Sequence, residues 1–231
     1  MFGALVIKTK TRGSESFSEK NFDKFYSLHQ NEVLSLRLYL VRLDRDRICK
    51  LASVIANNHF PNLETLEICR PIFIDTTLEP ILFALKENTT IKNIVFDCVK
   101  LDNNILVMLR QLLLSNTTIE SFQIPHNGLV SYACGYIIQN LLSDSHIKHL
   151  NLSGNEVTNI HVPMLCKLVE KGSLEILDLT HTDLSNNAAE ELIEVFKKTG
   201  SLRELHLNDC EGVDEYLISK CLHIAIGKGS S

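Results

Sequence analysis

One spacing, apolar-x-x-apolar-x-apolar, recurs seven times in this chain of 231 residues. It stands at Val33/Leu36/Leu38, Leu63/Leu66/Ile68, Ile91/Ile94/Phe96, Ile119/Phe122/Ile124, Ile147/Leu150/Leu152, Leu174/Leu177/Leu179 and Leu202/Leu205/Leu207, in steps of 30, 28, 28, 28, 27 and 28. A fixed period of this length makes each copy one supersecondary unit that must stack on its neighbours to bury its apolar side. The first half of each unit alternates like a strand, and the second half carries apolar residues at helical spacing. In the third unit these are Ile105, Leu109, Leu112 and Leu113; in the sixth, Ala188, Leu192, Val195 and Phe196. The expected fold class is therefore α/β, a solenoid with parallel strands on the concave face and helices on the convex face.

Three residues beyond the last apolar position of each copy stand Val41, Pro71, Val99, Asn127, Asn155, Thr182 and Cys210, and an apolar residue usually follows two further on. Together these positions resemble the leucine-rich repeat, L-x-x-L-x-L-x-x-N/C-x-L, in its long, ribonuclease-inhibitor-like form. The resemblance implies a right-handed horseshoe over about seven repeats, residues 33–226, with an N-terminal cap at 1–32 and a tail at 227–231. It also implies that Asn127, Asn155 and Cys210 bond backbone groups in the turn leaving the strand. Val41, Pro71 and Val99 depart from the pattern, and Pro71 is expected to bend the chain locally.

Asp102 and Ser185 read as helix N-caps, and Asn88, Asn116, Gly172 and Gly200 as helix ends that tolerate a left-handed turn. Within the cap, a strand is expected at Ala4–Lys8, a polar turn at Thr11–Ser18, and a helix presenting Phe22, Phe25, Tyr26 and Leu28. In the last unit an extra residue around Glu211–Asp214 moves the helix core to Leu217, Cys221 and Ile224. That helix has an apolar band wider than one neighbour covers, which suggests self-association through Ile218, Leu222 and Ile226.

Composition narrows the function classes. Apolar residues make up 45% of the chain and charged residues 22%, which fits a globular protein and rules out disorder. No apolar run approaches the roughly 20 residues of a membrane span. The N-terminus has its apolar stretch ahead of its lysines, the reverse of a secretory signal. Seven cysteines without a C-x-x-C pair fit neither a zinc ribbon nor a complete disulfide framework, and point to a reducing compartment. Residues 1–50 carry a net charge of +4 and residues 51–231 a net of −9. The acidic bulk argues against general nucleic-acid binding. The expected setting is cytoplasmic, or a host cytosol if the chain is a secreted bacterial effector, with neither membrane nor nucleic acid as partner.

The chain has no phosphate-binding glycine loop, no G-x-S-x-G elbow and no H-E-x-x-H. No cofactor and no metal is expected. The register instead places Arg37/Tyr39, Thr65/Glu67/Arg70, Asn93/Asp97, Gln123/His126, His149/Asn151, Asp178/His181 and Glu204/His206/Asn208/Asp209 on the concave face. The first strands read as basic and aromatic, the last as acidic with histidines. This face is either a graded surface that orients a partner or a solvated sheet without one epitope.

Asp178 and His206 fall at equivalent places on adjacent strands near His149, His181 and Glu204. Such a cluster could serve a metal or acid–base chemistry, or be only a polar face. Arg42, Arg45 and Arg47, interleaved with Asp44 and Asp46, read as a solvated loop or a dock for an acidic partner. Three N-glycosylation patterns begin at Asn88, Asn116 and Asn151, and without a signal they carry little weight.

The function read from these features is a non-enzymatic protein-interaction module that holds a macromolecular partner by shape and charge. Its proposed contacts are Arg37, Tyr39, Glu67, Arg70, Asp97, His126, His149, Asp178, His181, Glu204, His206 and Asp209. The resemblance admits a bacterial effector, or a cytosolic regulator of a small GTPase or of actin. An enzyme using the His/Asp patch is the third class.

Overall fold

A computed structural model describes residues 4–9, 13–18, 24, 27–28, 30–143, 146–219 and 221. The chain divides into two compact units, Met1–Ile119 and Glu120–Ser231. The first runs β1 (Ala4–Thr9), β2 (Gly13–Ser18), β3 (Val33–Tyr39), β4 (Arg42–Leu43), α1 (Arg45–Ala56), β5 (Thr65–Cys69), β6 (Ile72–Phe73), α2 (Glu79–Glu87), β7 (Asn93–Asp97) and α3 (Asn103–Ser115). Its sheet has the order β7-β5-β3-β1-β2. Strands β3, β5 and β7 are parallel, whereas β1 runs antiparallel to both β3 and β2. Strands β4 and β6 form a second, two-stranded ladder.

The second unit runs β8 (Ser121–Gln123), α4 (Ser131–Ser143), β9 (His149–Asn151), a 3-10 turn (Asn159–His161), α5 (Val162–Glu170), β10 (Ile176–Asp178), α6 (Asn186–Lys198) and β11 (Glu204–His206), followed by helical residues 215–219. Strands β8, β9, β10 and β11 pair in chain order, all parallel.

The repeat register is the core. All 21 residues of the seven copies are buried, and the most exposed, Leu205, reaches only 6%. Each contributes on the order of 1.5–3 kcal/mol by leaving water. The helices add their inward stripes: Ile105, Leu109, Leu112 and Leu113 of α3, and Ala188, Leu192, Ile193 and Phe196 of α6. Val195, expected among them, is only half-buried.

Every strand leaves the sheet through the same backbone device. The second residue past the last apolar position has positive φ in all seven copies: Leu40, Arg70, Cys98, His126, Gly154, His181 and Asp209, at 49° to 63°. Only one is glycine, so composition gave no sign of this turn. In the second unit Asn155 ties it down as the resemblance implied. Its Nδ2 donates to the carbonyls of Ile124 (3.0 Å), Leu152 (3.0 Å) and Ser153 (3.2 Å). Its Oδ1 accepts from the N–H groups of Asn127 and Leu129, both at 3.1 Å. Asn127 donates to the Pro125 carbonyl, and the Cys210 thiol to that of Leu179.

Backbone bonds at these turns are common to both units: Leu40 N–H to Cys69 O, Arg70 N–H to Asp97 O and Ile72 N–H to Val41 O in the first, and His126 N–H to Ser153 O, Gly154 N–H to Thr180 O and His181 N–H to Asn208 O in the second. Val41 and Val99 are fully buried. Pro71 fits because its missing N–H would meet the apolar Val99, where Asn155 accepts from Asn127 in the second unit. The ladder resumes at Ile72 and Phe73, directly after the proline.

Several local expectations need correction. The polar stretch read as a turn at Thr11–Ser18 contains strand β2, which pairs with β1 from Ala4↔Ser18 to Thr9↔Gly13. An edge strand has one free side and needs no apolar alternation, so a polar sequence can occupy it. The expected helix residues Phe22, Phe25 and Tyr26 lie outside the described residues, as do Ile224 of the expected last helix core and Leu222 and Ile226 of the expected self-association contacts. Arg45 and Arg47 belong to helix α1, not to a loop. Asp44 caps that helix by accepting from Arg47 N–H at 2.9 Å, and Asp46 pairs with Lys50 one turn on.

Asn88 and Asn116 do end helices, but in extended conformation, with φ of −73° and −97°. They act through their side chains. Asn88 Nδ2 donates to Ile55 O, Asn116 Nδ2 to Leu85 O and Asn88 O, and their Oδ1 atoms accept from Thr90, Ile91, Thr118 and Ile119. This is a second ladder, one repeat reaching back to the last, on the opposite side of the strands from the Asn155 turn. Gly172 takes the expected left-handed conformation at φ 85°, and Gly200 does not. Asp102 caps α3 through Ile105 N–H, whereas the Ser185 side chain makes no cap bond to α6.

Candidate functional site

None of the twelve proposed contact residues is buried. In the first unit the register sets Arg37, Glu67 and Val95 in one row, and Tyr39, Cys69 and Asp97 in the next. Arg37 Nε lies 3.1 Å from Glu67 Oε2, so one of the two arginines that made the first strands read as basic is held in an ion pair. Asp97 Oδ1 is shut off from solvent without a hydrogen-bond partner. Burial first, then the Asp97 carboxylate, raise the Cys98 thiol. Burial also raises Cys69, the Arg37 charge opposing it. Neither thiol is an activated nucleophile. Arg70 stands at its left-handed turn, with its backbone on Asp97 O.

In the second unit one row across the four strands reads Gln123, Asn151, Asp178, His206, and the row before it Ser121, His149, Ile176, Glu204. Asp178 and His206 are thus register partners, as the spacing required. His149 Nδ1 lies 3.3 Å from Ser121 Oγ and 3.4 Å from Gln123 Nε2. Burial lowers the His149 pKa against the opposing pull of Asp178 and Glu204. His206 Nε2 bonds Glu204 Oε2 at 3.0 Å.

A serine beside a neutral histidine invites comparison with nucleophilic catalysis, which also needs a carboxylate to orient the base. Asp178 is engaged elsewhere: Oδ2 accepts from Asn151 Nδ2 at 3.1 Å and Oδ1 from Thr180 N–H at 2.9 Å. Among the described residues, no three His, Cys, Asp or Glu side chains group to hold a metal ion.

The left-handed turns make a separate column at the ends of these strands: His126, Gly154, His181, Asp209. A Cβ on Gly154 would sit 2.0 Å from His126 Nδ1, so the imidazole lies across the glycine. From there it faces His181, with ring centroids 6.4 Å apart, and His181 Nε2 lies 3.5 Å from Asp209 Oδ2. Gly154 therefore serves twice, for its positive φ and for the room it leaves.

One feature at the strand starts was missed. The residue after the first apolar position reads Glu64, Lys92, Glu120, Lys148, Glu175, Arg203, and neighbours pair: Glu64–Lys92 at 2.8 Å, Glu120–Lys148 at 2.9 Å, Glu175–Arg203 at 3.6 Å. Alternating sign at one repeat position was the available signal. On the helices of the first unit, Ala52, Ser53, Ala56, Phe83 and Met108 line a shallow apolar recess, with Phe83 72% exposed. No helix among the described residues is long and apolar enough to cross a membrane.

No model of a known protein family matches the chain. Mouse ribonuclease inhibitor is 26% identical over 153 residues, 65% of this chain and 33% of that protein. Human NACHT, LRR and PYD domains-containing protein 5 is 25% identical over 137 residues, 58% of this chain and 11% of that protein. The chain thus spans a third or less of these relatives. A solved structure of the tropomodulin C-terminal domain of Caenorhabditis elegans superposes with a TM-score of 0.55 at 15% identity, covering 67% of this chain and 95% of that one. The fold is that of leucine-rich repeats, and the chain is distantly homologous to ribonuclease inhibitor and to the repeat regions of the NACHT, LRR and PYD proteins.

Proposed function

We propose that the chain is a protein-interaction module that works through the outward side chains of its strands and performs no chemistry of its own. One observation carries this reading. Fully buried register residues hold the strands at fixed spacing, while most positions between them present exposed or half-exposed side chains, mainly polar, in regular rows. Such a surface is preorganised, so little ordering opposes association. The distant homologue named as a ribonuclease inhibitor supports a binding role, and the bacterial-effector reading draws no support from the relatives above.

The test is an affinity capture from eukaryotic lysate with wild type and two folded variants, Arg37→Glu/Tyr39→Ala in the first unit and Asp178→Lys/His206→Ala in the second. Partners lost from one variant support the reading and assign the unit that binds them. Partner lists identical in all three proteins overturn it in favour of the helical face.

A further inference from the structure

The strand face of the second unit differs from the rest of the chain in the charge it presents. Its outward and turn positions on β8 to β11 hold three carboxylates, Asp178, Glu204 and Asp209, and four histidines, His126, His149, His181 and His206, with no lysine or arginine at all. The cations nearby in the repeat stand at the strand starts, where Lys148 pairs with Glu120 and Arg203 with Glu175, so that outer row is neutral. The inner carboxylates meet only neutral donors and imidazoles: Asn151 and Thr180 N–H on Asp178, His206 on Glu204, His181 on Asp209. With the histidines neutral the face carries a charge of −3; with all four protonated it carries +1.

We infer that this face binds a lysine- or arginine-rich segment of a partner protein, and that protonation of its histidines releases it. The inference rests on the protein-binding reading above and adds to it the chemistry and the control of the partner. Complementary charge steers encounter and fixes orientation. A segment laid along the row from Gln123 to His206 meets Asp178 mid-row and Glu204 and Asp209 at the β11 end.

Histidine is the side chain whose charge changes between pH 5 and 8, and each of the four faces groups that bear on that change. His149 faces Ser121 and Gln123 from β8, Asp178 from β10, and Glu204 and His206 from β11. His206 faces Glu204 on its own strand and Asp178 from β10. His181 stands between His126 and Asp209, and His126 lies over Gly154. Protons added to imidazoles that border the carboxylates replace attraction for a cationic segment with repulsion, and burial makes His149 the reluctant member of the set.

The test uses the full chain and a fluorescein-labelled deca-arginine peptide in 0.15 M salt, read by anisotropy. Wild type is expected to bind at pH 7.4 and at least tenfold more weakly at pH 5.5. Asp178→Asn/Glu204→Gln/Asp209→Asn is expected to lose at least tenfold at pH 7.4. A control removing three exposed helical carboxylates, Glu87→Gln/Glu170→Gln/Glu190→Gln, is expected to stay within twofold. His126→Gln/His149→Gln/His181→Gln/His206→Gln is expected to bind equally at both pH values. Circular dichroism melts select folded variants, and if the fourfold histidine variant does not fold, the His126→Gln/His181→Gln pair is used, for which a halved pH response is expected.

Equal losses from the strand-face and helical variants would overturn the site, and pH-independent binding by wild type would overturn the release. If deca-arginine does not bind while the lysate capture still yields partners sensitive to Asp178→Lys/His206→Ala, the cationic partner is wrong and the module stands.

Discussion

Asn155 uses both ends of its amide, donating to three carbonyls and accepting from two N–H groups while only 5% exposed. Asn155→Ala leaves those backbone groups without a partner in a site closed to water, and is expected to lower stability by about 3 kcal/mol in urea unfolding. Gly154→Ala, one residue away, acts differently. Its cost is about 1 kcal/mol for the left-handed backbone, and the added methyl pushes the His126 ring aside. The nuclear Overhauser contacts between His126 and His181 should disappear while the remaining spectrum holds.

Burial raises the Cys134 thiol from the ordinary 9.0 to about 12, and Cys166 to about 11. The unfolded chain therefore releases these protons first as pH rises. Stability is whole below about pH 9 and falls as pH rises from there to about 11 for Cys166 and about 12 for Cys134, a slope that Cys134→Ala should flatten. In the native protein exposed Cys49 should alkylate well before Cys134 or Cys166.

At the scale of elements, helix caps separate what sequence can say from what it cannot. Asp102 and Ser185 both precede a helix in the right register, and both were legible as N-caps. Only Asp102 makes the bond, so Asp102→Ala should cost about 1 kcal/mol and Ser185→Ala only a few tenths, compared by thermal unfolding. The strands and helices of the repeats were legible because apolar spacing alone specifies them, and every register residue is buried. The left-handed strand exits were not, since six of the seven residues that adopt them are not glycine. Strand β2 was hidden by its polar composition. Of the candidate site, the rows and the Asp178–His206 pairing followed from counting. The Arg37–Glu67 pair, the diversion of Asp178 to Asn151 and the His126 ring over Gly154 depend on rotamers and turn geometry that spacing does not encode.

Over the whole molecule, stability is spread along a chain of neighbours, and no single contact closes it. The strand-start pairs are exposed and each contributes little at equilibrium, about 0.2–1 kcal/mol. Glu120→Lys/Glu175→Lys, which gives all four strand-start positions of the second unit one sign, is therefore expected to lower stability by only about 1–2 kcal/mol in urea unfolding. Adding Lys148→Glu/Arg203→Glu should restore it. The larger effect is expected in refolding, where light scattering should show more aggregate for the double variant than for the restored one.

That expectation follows from what alternation does for a chain made of near-identical parts. A repeat that docks one place out of turn finds a groove of almost the right shape, so packing alone discriminates poorly between neighbour and next neighbour. At the strand starts, however, skipping one unit sets Glu120 against Glu175, or Lys148 against Arg203, whereas the correct neighbour always brings the opposite charge. The array carries a parity check along one edge, and misordered stacking is opposed at the moment it forms.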